Sequence, residues 1–175
     1  MTPTRRLLMT FFGIAALAFL QVAVPEIGTY VGVLLGLLAL CTLADWWELR
    51  RAPNLQIKRS LQGVWPVDVW NEVTLTIHNP SQSKVRLDII DDYPNAWQLE
   101  GLPHSSIVPA NSFIAITYRV RPNSRGDAQF GLAFVRVRAY FQLWERQFRL
   151  GEPQSVKVFP DFSKLLGNNL HATDK

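Results

Sequence analysis

Two apolar stretches near the start of the chain, residues 7–24 and 27–44, have arginines beyond their outer ends and no basic residue between them. Crossing a hydrocarbon core takes about 20 mostly apolar residues, with about 17 as the lower end. The first stretch is interrupted only by Thr10 and Gln21, and the second carries no charge before Asp45. Each is long enough to span. A backbone in lipid must satisfy its own hydrogen bonds, so each reads as a helix. Pro25, Glu26 and Gly28 suit a tight turn between them. Residues 1–48 are therefore predicted to form a transmembrane α-helical hairpin.

The flanking charges predict its orientation. Arg5 and Arg6 precede the first stretch, Arg50, Arg51, Lys58 and Arg59 follow the second, and the turn contains only Glu26. Cytoplasmic flanks carry the excess of Lys and Arg, so both termini are expected in the cytoplasm. Trp46 and Trp47, with Tyr30 at the other end, fall where interfacial aromatic belts would lie. Gly32 and Gly36 form a GxxxG through which two helices could approach closely. Two other readings compete. The first stretch has the basic start and apolar core of a signal peptide, although LQVAVPE lacks a clear small-x-small cleavage site. A buried helical hairpin of a soluble protein is the other, opposed by the lack of a polar face.

Beyond Pro53 the periodicity changes. Val73, Leu75 and Ile77 alternate with polar residues, as do Val85, Leu87 and Ile89, then Ile114, Ile116, Tyr118 and Val120, then Val135 and Val137. Such alternation marks half-buried strands. Residues 55–61, 144–150 and 155–159 are further candidates. Turn signals separate them at Asn79-Pro80-Ser81, Tyr93-Pro94-Asn95, Pro109-Ala110-Asn111, 122–126 and Gly151-Glu152-Pro153. No long amphipathic helix intervenes. About seven short strands in about 105 residues predict an all-β domain over 53–160, an antiparallel immunoglobulin-like β-sandwich, with a small barrel as the alternative. Residues 161–175 lose the alternation and read as a tail or the start of a further domain.

The 175 residues carry a formal net charge of +4. The charges are scattered singly, without a basic run or RNA-binding motif, so no nucleic-acid partner is expected. An anionic inner leaflet accounts for Arg50, Arg51, Lys58 and Arg59. Cys41, the single cysteine, lies in the second apolar stretch. No intrachain disulfide and no cysteine-based zinc site can form. His78, His104 and His171 lack a partner at metal-ligand spacing. Asp91 and Asp92, with Asp88 nearby, form the one tight carboxylate group. Neighbouring strand residues point to opposite faces, so a calcium site there is disfavoured and a strand-end role preferred. Ser105 and Ser106 lie in no nucleophile-elbow sequence, and no phosphate-binding glycine loop occurs. No catalytic, cofactor-binding or metal residue is therefore assigned, no cofactor or small-molecule substrate is expected, and the chain is not expected to be an enzyme. Trp65, Trp70, Trp97 and Trp144 are read mostly as core, with an exposed partner-binding patch as the other possibility.

Several short segments, in order, carry a family resemblance. They are the basic start and hairpin, Leu49-Arg50-Arg51, Ile77-His78-Asn79-Pro80, residues 91–94 and 116–122, Arg125-Gly126, Leu143-Trp144-Glu145-Arg146 and Val158-Phe159-Pro160-Asp161-Phe162. Together they resemble the N-terminal half of the bacterial family called domain of unknown function 58, the BatA-like, von Willebrand-factor-A-associated membrane proteins. The resemblance implies a bacterial inner (cytoplasmic) membrane location, a cell-envelope or stress role, and partnership with a MoxR-type AAA ATPase. Similar proteins tend to have Gly before the Leu-Trp pair, in a loop that Ala139-Tyr140-Phe141-Gln142 replaces here. The family's C-terminal signature and its von Willebrand-A-like domain do not occur before Lys175. Three readings follow: a stand-alone anchored interaction platform, a truncated remnant or fragment, and, were the topology reversed, an extracytoplasmic ligand-binding module.

Overall fold

The computed structural model describes residues 1–22, 24–51 and 54–160. A short strand β1 (Thr2–Pro3) precedes helix α1 (Arg5–Leu20), and a 3₁₀ turn at Pro25–Ile27 leads into α2 (Gly28–Arg50). The Thr4 hydroxyl caps α1, accepting the Leu7 N–H at 3.5 Å. At 1.5 Å per residue α2 is about 34 Å long, and it is long and apolar enough to cross a membrane. The first helix has 16 residues, short of the lower end for a span. It stops at Leu20 rather than continuing to residue 24: Gln21 and Val22 turn, and Val24 has left the helical region with φ −131° and ψ 87°. The two-span expectation thus reduces to one long apolar helix preceded by a shorter one.

A Cβ at Gly28 would stand 2.5 Å from the Gln21 Nε2, the far end of a flexible side chain that can move aside. Gly32 and Gly36 do not bring the helices together as expected, since a Cβ at either would meet nothing within 4 Å. Val31 is the apolar residue buried in that part of α2.

Eleven strands follow: β2 (Gln56–Ser60), β3 (Val64–Pro66), β4 (Asn71–Asn79), β5 (Val85–Ile90), β6 (Gln98–Glu100), β7 (His104–Val108), β8 (Ser112–Arg121), β9 (Gly126–Phe130), β10 (Ala133–Arg138), β11 (Trp144–Leu150) and β12 (Gln154–Phe159). They form a five-stranded sheet β1-β11-β10-β5-β7, a four-stranded sheet β2-β4-β8-β6 and a three-stranded sheet β3-β12-β9. The inward residues of β4, β5, β8 and β10 alternate as expected and are buried. All three sheets contribute to a single apolar core, in which Trp65, Trp97 and Phe130 stack with centroids 5.6–5.9 Å apart. The domain is an all-β sandwich, antiparallel except for the parallel pairing of β3 with β12. Short strands β3, β6, β7 and β9 have too little alternation to read as strands from sequence. Residues 161–175, with His171 and the Asp161-Phe162 pair, lie outside the described residues.

Candidate functional site

The alternation of β5 continues one step past its apolar run, from Val85, Leu87 and Ile89 to Asp91, and β2 places Arg59 in phase with Leu55 and Ile57. Both charges therefore point inward, where β8 supplies Tyr118. Arg59 donates from Nε to Asp91 Oδ2 at 2.8 Å and from Nη2 to Oδ1 of the same carboxylate, a bidentate pair. Its remaining donors reach the carbonyls of Gly131 at 2.7 Å and Glu152 at 3.0 Å. Tyr118 donates its hydroxyl to Asp91, and the Asp92 amide donates at 3.0 Å. Burial first, then the Asp91 carboxylate, hold the Tyr118 hydroxyl far above its ordinary pKa of 10.0, with Arg59 opposing.

This cluster corrects one expectation and adds to another. Arg59 does not face an anionic leaflet but is 6% exposed, and Asp91, just past the end of β5 as expected, has the further role of a core ion-pair partner. Asp88 lies on the opposite face, bonded to Arg138 at 2.5 Å and Ser105 at 2.6 Å, and Asp92 is exposed. Asp91 is turned away from Asp88 and taken up by Arg59 and Tyr118, and among the described residues no group of three such side chains converges as a cation site. The proximity of these acids in sequence is therefore structural.

A second cluster joins the helices to the sandwich. Asp45, in the last third of α2, is wholly buried, and its carboxylate accepts the amides of Phe141 at 2.9 Å and Leu143 at 2.8 Å. Glu48, one turn on, accepts the Tyr140 amide at 3.0 Å. Leu49, the i+4 neighbour of Asp45, is buried in the sandwich core. From the other side, β1 pairs with β11 (Pro3 with Trp144), Thr4 donates its amide to the Leu143 carbonyl, and its hydroxyl bonds the Gln142 carbonyl at 2.6 Å. One loop, between β10 and β11, thus grips both ends of the helical segment. Gln142 has φ 60°, the left-handed region that favours glycine. The helix-ending residues Trp46 and Trp47 carry Arg50 and Arg51 over their rings, at 4.2 and 4.8 Å.

The outward face of the five-stranded sheet offers a third feature. Ile90 and Phe134 are exposed cross-strand partners beside a concavity of 430 Å³. Next to them β7 is an edge strand among the described residues, with Ile107 also exposed. His104 begins this strand rather than a turn, and His78 lies half-buried on the polar side of β4. Of the tryptophans, Trp65 and Trp97 are core, whereas Trp70 and Trp144 are half-buried.

No family model and no curated protein sequence matches the chain. Solved structures do match it. A portion of native α2-macroglobulin from Escherichia coli, spanning domain MG7 to its C-terminus, aligns over 62% of this chain with 14% identity and a TM-score of 0.52. The likeness is one of fold. This chain spans 17% of that one. A CARDB domain from Pyrococcus furiosus, solved with di-metal ions, aligns over 62% of this chain and 90% of its own, with 14% identity and a TM-score of 0.40. The cupredoxin domain of amoB from Nitrosocaldus yellowstonii aligns over 62% and 87%, with 10% identity and the same score.

Proposed function

We propose that the chain is a non-enzymatic bacterial inner-membrane protein whose helices form a hairpin anchor, with both termini and the sandwich in the cytoplasm, and whose sandwich is an interaction platform. The observation that carries this reading is the double grip of the β10–β11 loop on β1 and on the end of α2. It puts the outer ends of both helices, with Arg5, Arg6, Arg50 and Arg51, on the sandwich side, and the positive-inside rule then assigns that side to the cytoplasm. A short α1 is accommodated by local thinning of the bilayer or snorkelling of its arginines. The non-enzymatic reading is supported by Arg59, Asp91 and Tyr118, which are closed within the core by one another and by backbone groups.

Partner binding is assigned to strand addition at β7, where the edge amides supply affinity and the Ile90–Phe134 face supplies pockets for alternate side chains. A MoxR-type AAA ATPase is the proposed partner on the family resemblance. Co-purification from detergent-solubilised membranes tests it. A reproducible protein partner that is lost in Phe134→Asp is expected. Recovery of no partner, or of one indifferent to the substitution, argues against the platform.

A further inference from the structure

We infer that the groove between the end of α2 and the β5–β10 face binds the phosphate headgroup of an anionic phospholipid. The groove encloses 470 Å³ and is walled by Trp47 near the end of α2 and Arg51 just after it, by Lys84 just before β5 and Arg86 within it, and by Arg138 at the end of β10. Glu48 is its carboxylate, and that group already accepts the Tyr140 amide. Lys84 and Arg86, two apart on an extended segment, share a face, and both are exposed. Among the described residues, neither they nor Arg51 have a carboxylate within ion-pair distance. Arg86 stands directly opposite Arg138 across the sheet, and because Arg138 is already paired with Asp88 at 2.5 Å, the cations left for an anion are Lys84, Arg86 and Arg51. The carbonyl end of α2 disfavours an anion on the helix axis, so the phosphate belongs on the sheet side, at Lys84 and Arg86.

A lipid, rather than a free anion, follows from the helix. Leu40, Ala44, Trp47 and Arg51 fall at helical i, i+4, i+7 and i+11 spacing and so form one stripe. Leu40 and Trp47 are exposed, at 65% and 54%. The stripe runs from the apolar part of α2 directly into the groove, giving an acyl chain a path to Leu40 while its phosphate rests on the cations. This inference rests on the membrane reading above.

Its test uses the full chain reconstituted in nanodiscs of phosphatidylcholine mixed with phosphatidylglycerol, followed by native mass spectrometry of retained lipid. Wild type is expected to retain phosphatidylglycerol preferentially. Lys84→Gln with Arg86→Gln is expected to lose that preference by on the order of tenfold, while Arg125→Gln with Lys157→Gln, which removes two charges elsewhere, keeps it. Equal loss in both pairs, no preference in wild type, or displacement of the lipid by inorganic phosphate alone overturns the headgroup site. Extraction of the parent membranes with alkaline carbonate separates the two levels. A wild type that stays in the membrane but shows no preference contradicts the groove alone, and one that is extracted contradicts the anchor as well.

Discussion

Asp91 and Tyr118 show how a polar residue in an inward phase becomes a structural tie. A buried ion pair adds little over apolar packing, yet removing one partner leaves an uncompensated charge and costs about 3–5 kcal/mol. Asp91→Ala is therefore expected to lower the unfolding free energy of the detergent-solubilised chain by about that much, measured by chemical denaturation. Replacing the set together, Arg59→Met with Asp91→Leu and Tyr118→Phe, is expected to recover most of the loss. An Asp91→Ala protein as stable as wild type contradicts the assignment. The raised pKa of Tyr118 has a direction in pH as well. The folded state keeps the hydroxyl neutral, whereas the unfolded chain releases its proton above about pH 10, so this contribution is complete below that pH and is lost as pH rises through it. Melting temperature is expected to fall between about pH 9 and 11, less steeply in Tyr118→Phe. The signal for this cluster was present in the sequence: Asp91 keeps the parity of Leu87 and Ile89, and Arg59 that of Leu55 and Ile57. Charge type suggested the surface, and strand phase decided otherwise.

At the scale of elements, the β10–β11 loop matters most, because it couples helices to sheet. Asp45→Ala leaves the Phe141 and Leu143 amides without their acceptor, at about 1–3 kcal/mol for the buried Leu143 amide and less for the part-exposed Phe141 amide. Faster hydrogen exchange at those two amides is expected, with Arg59-dependent stability of the sandwich retained; unchanged exchange contradicts the coupling. Gln142→Gly relieves a left-handed backbone and is expected to stabilise the chain by about 0.5–1 kcal/mol, read from the same denaturation curves. The long strands were legible because their alternation runs for several residues. Strands β3, β6, β7 and β9 have three to five residues and little contrast between faces, so tertiary pairing alone defines them. Asp45 was hidden by the same logic that located the helix: an acid at the end of an apolar run marks a boundary, and only the folded loop shows that it is also a cap for someone else's amides.

For the whole molecule, the helices and the sandwich form one mechanical unit, since β1, the end of α2 and β11 share a single loop. The sequence displayed the apolar stretches and the strand domain separately. Their junction required contacts 92 to 143 residues apart in the chain, which no local pattern carries. With the native cysteine removed by Cys41→Ala, single cysteines at Glu26→Cys, between the helices, and Ser124→Cys, in the sandwich, report the sidedness of the unit. Labelling of intact cells with a membrane-impermeant maleimide is the most direct measurement of the proposed topology. Glu26→Cys is expected to react from outside, and Ser124→Cys only after the cells are lysed. Reaction of Ser124→Cys in intact cells, or of both positions from the same side, contradicts a hairpin anchor with a cytoplasmic sandwich.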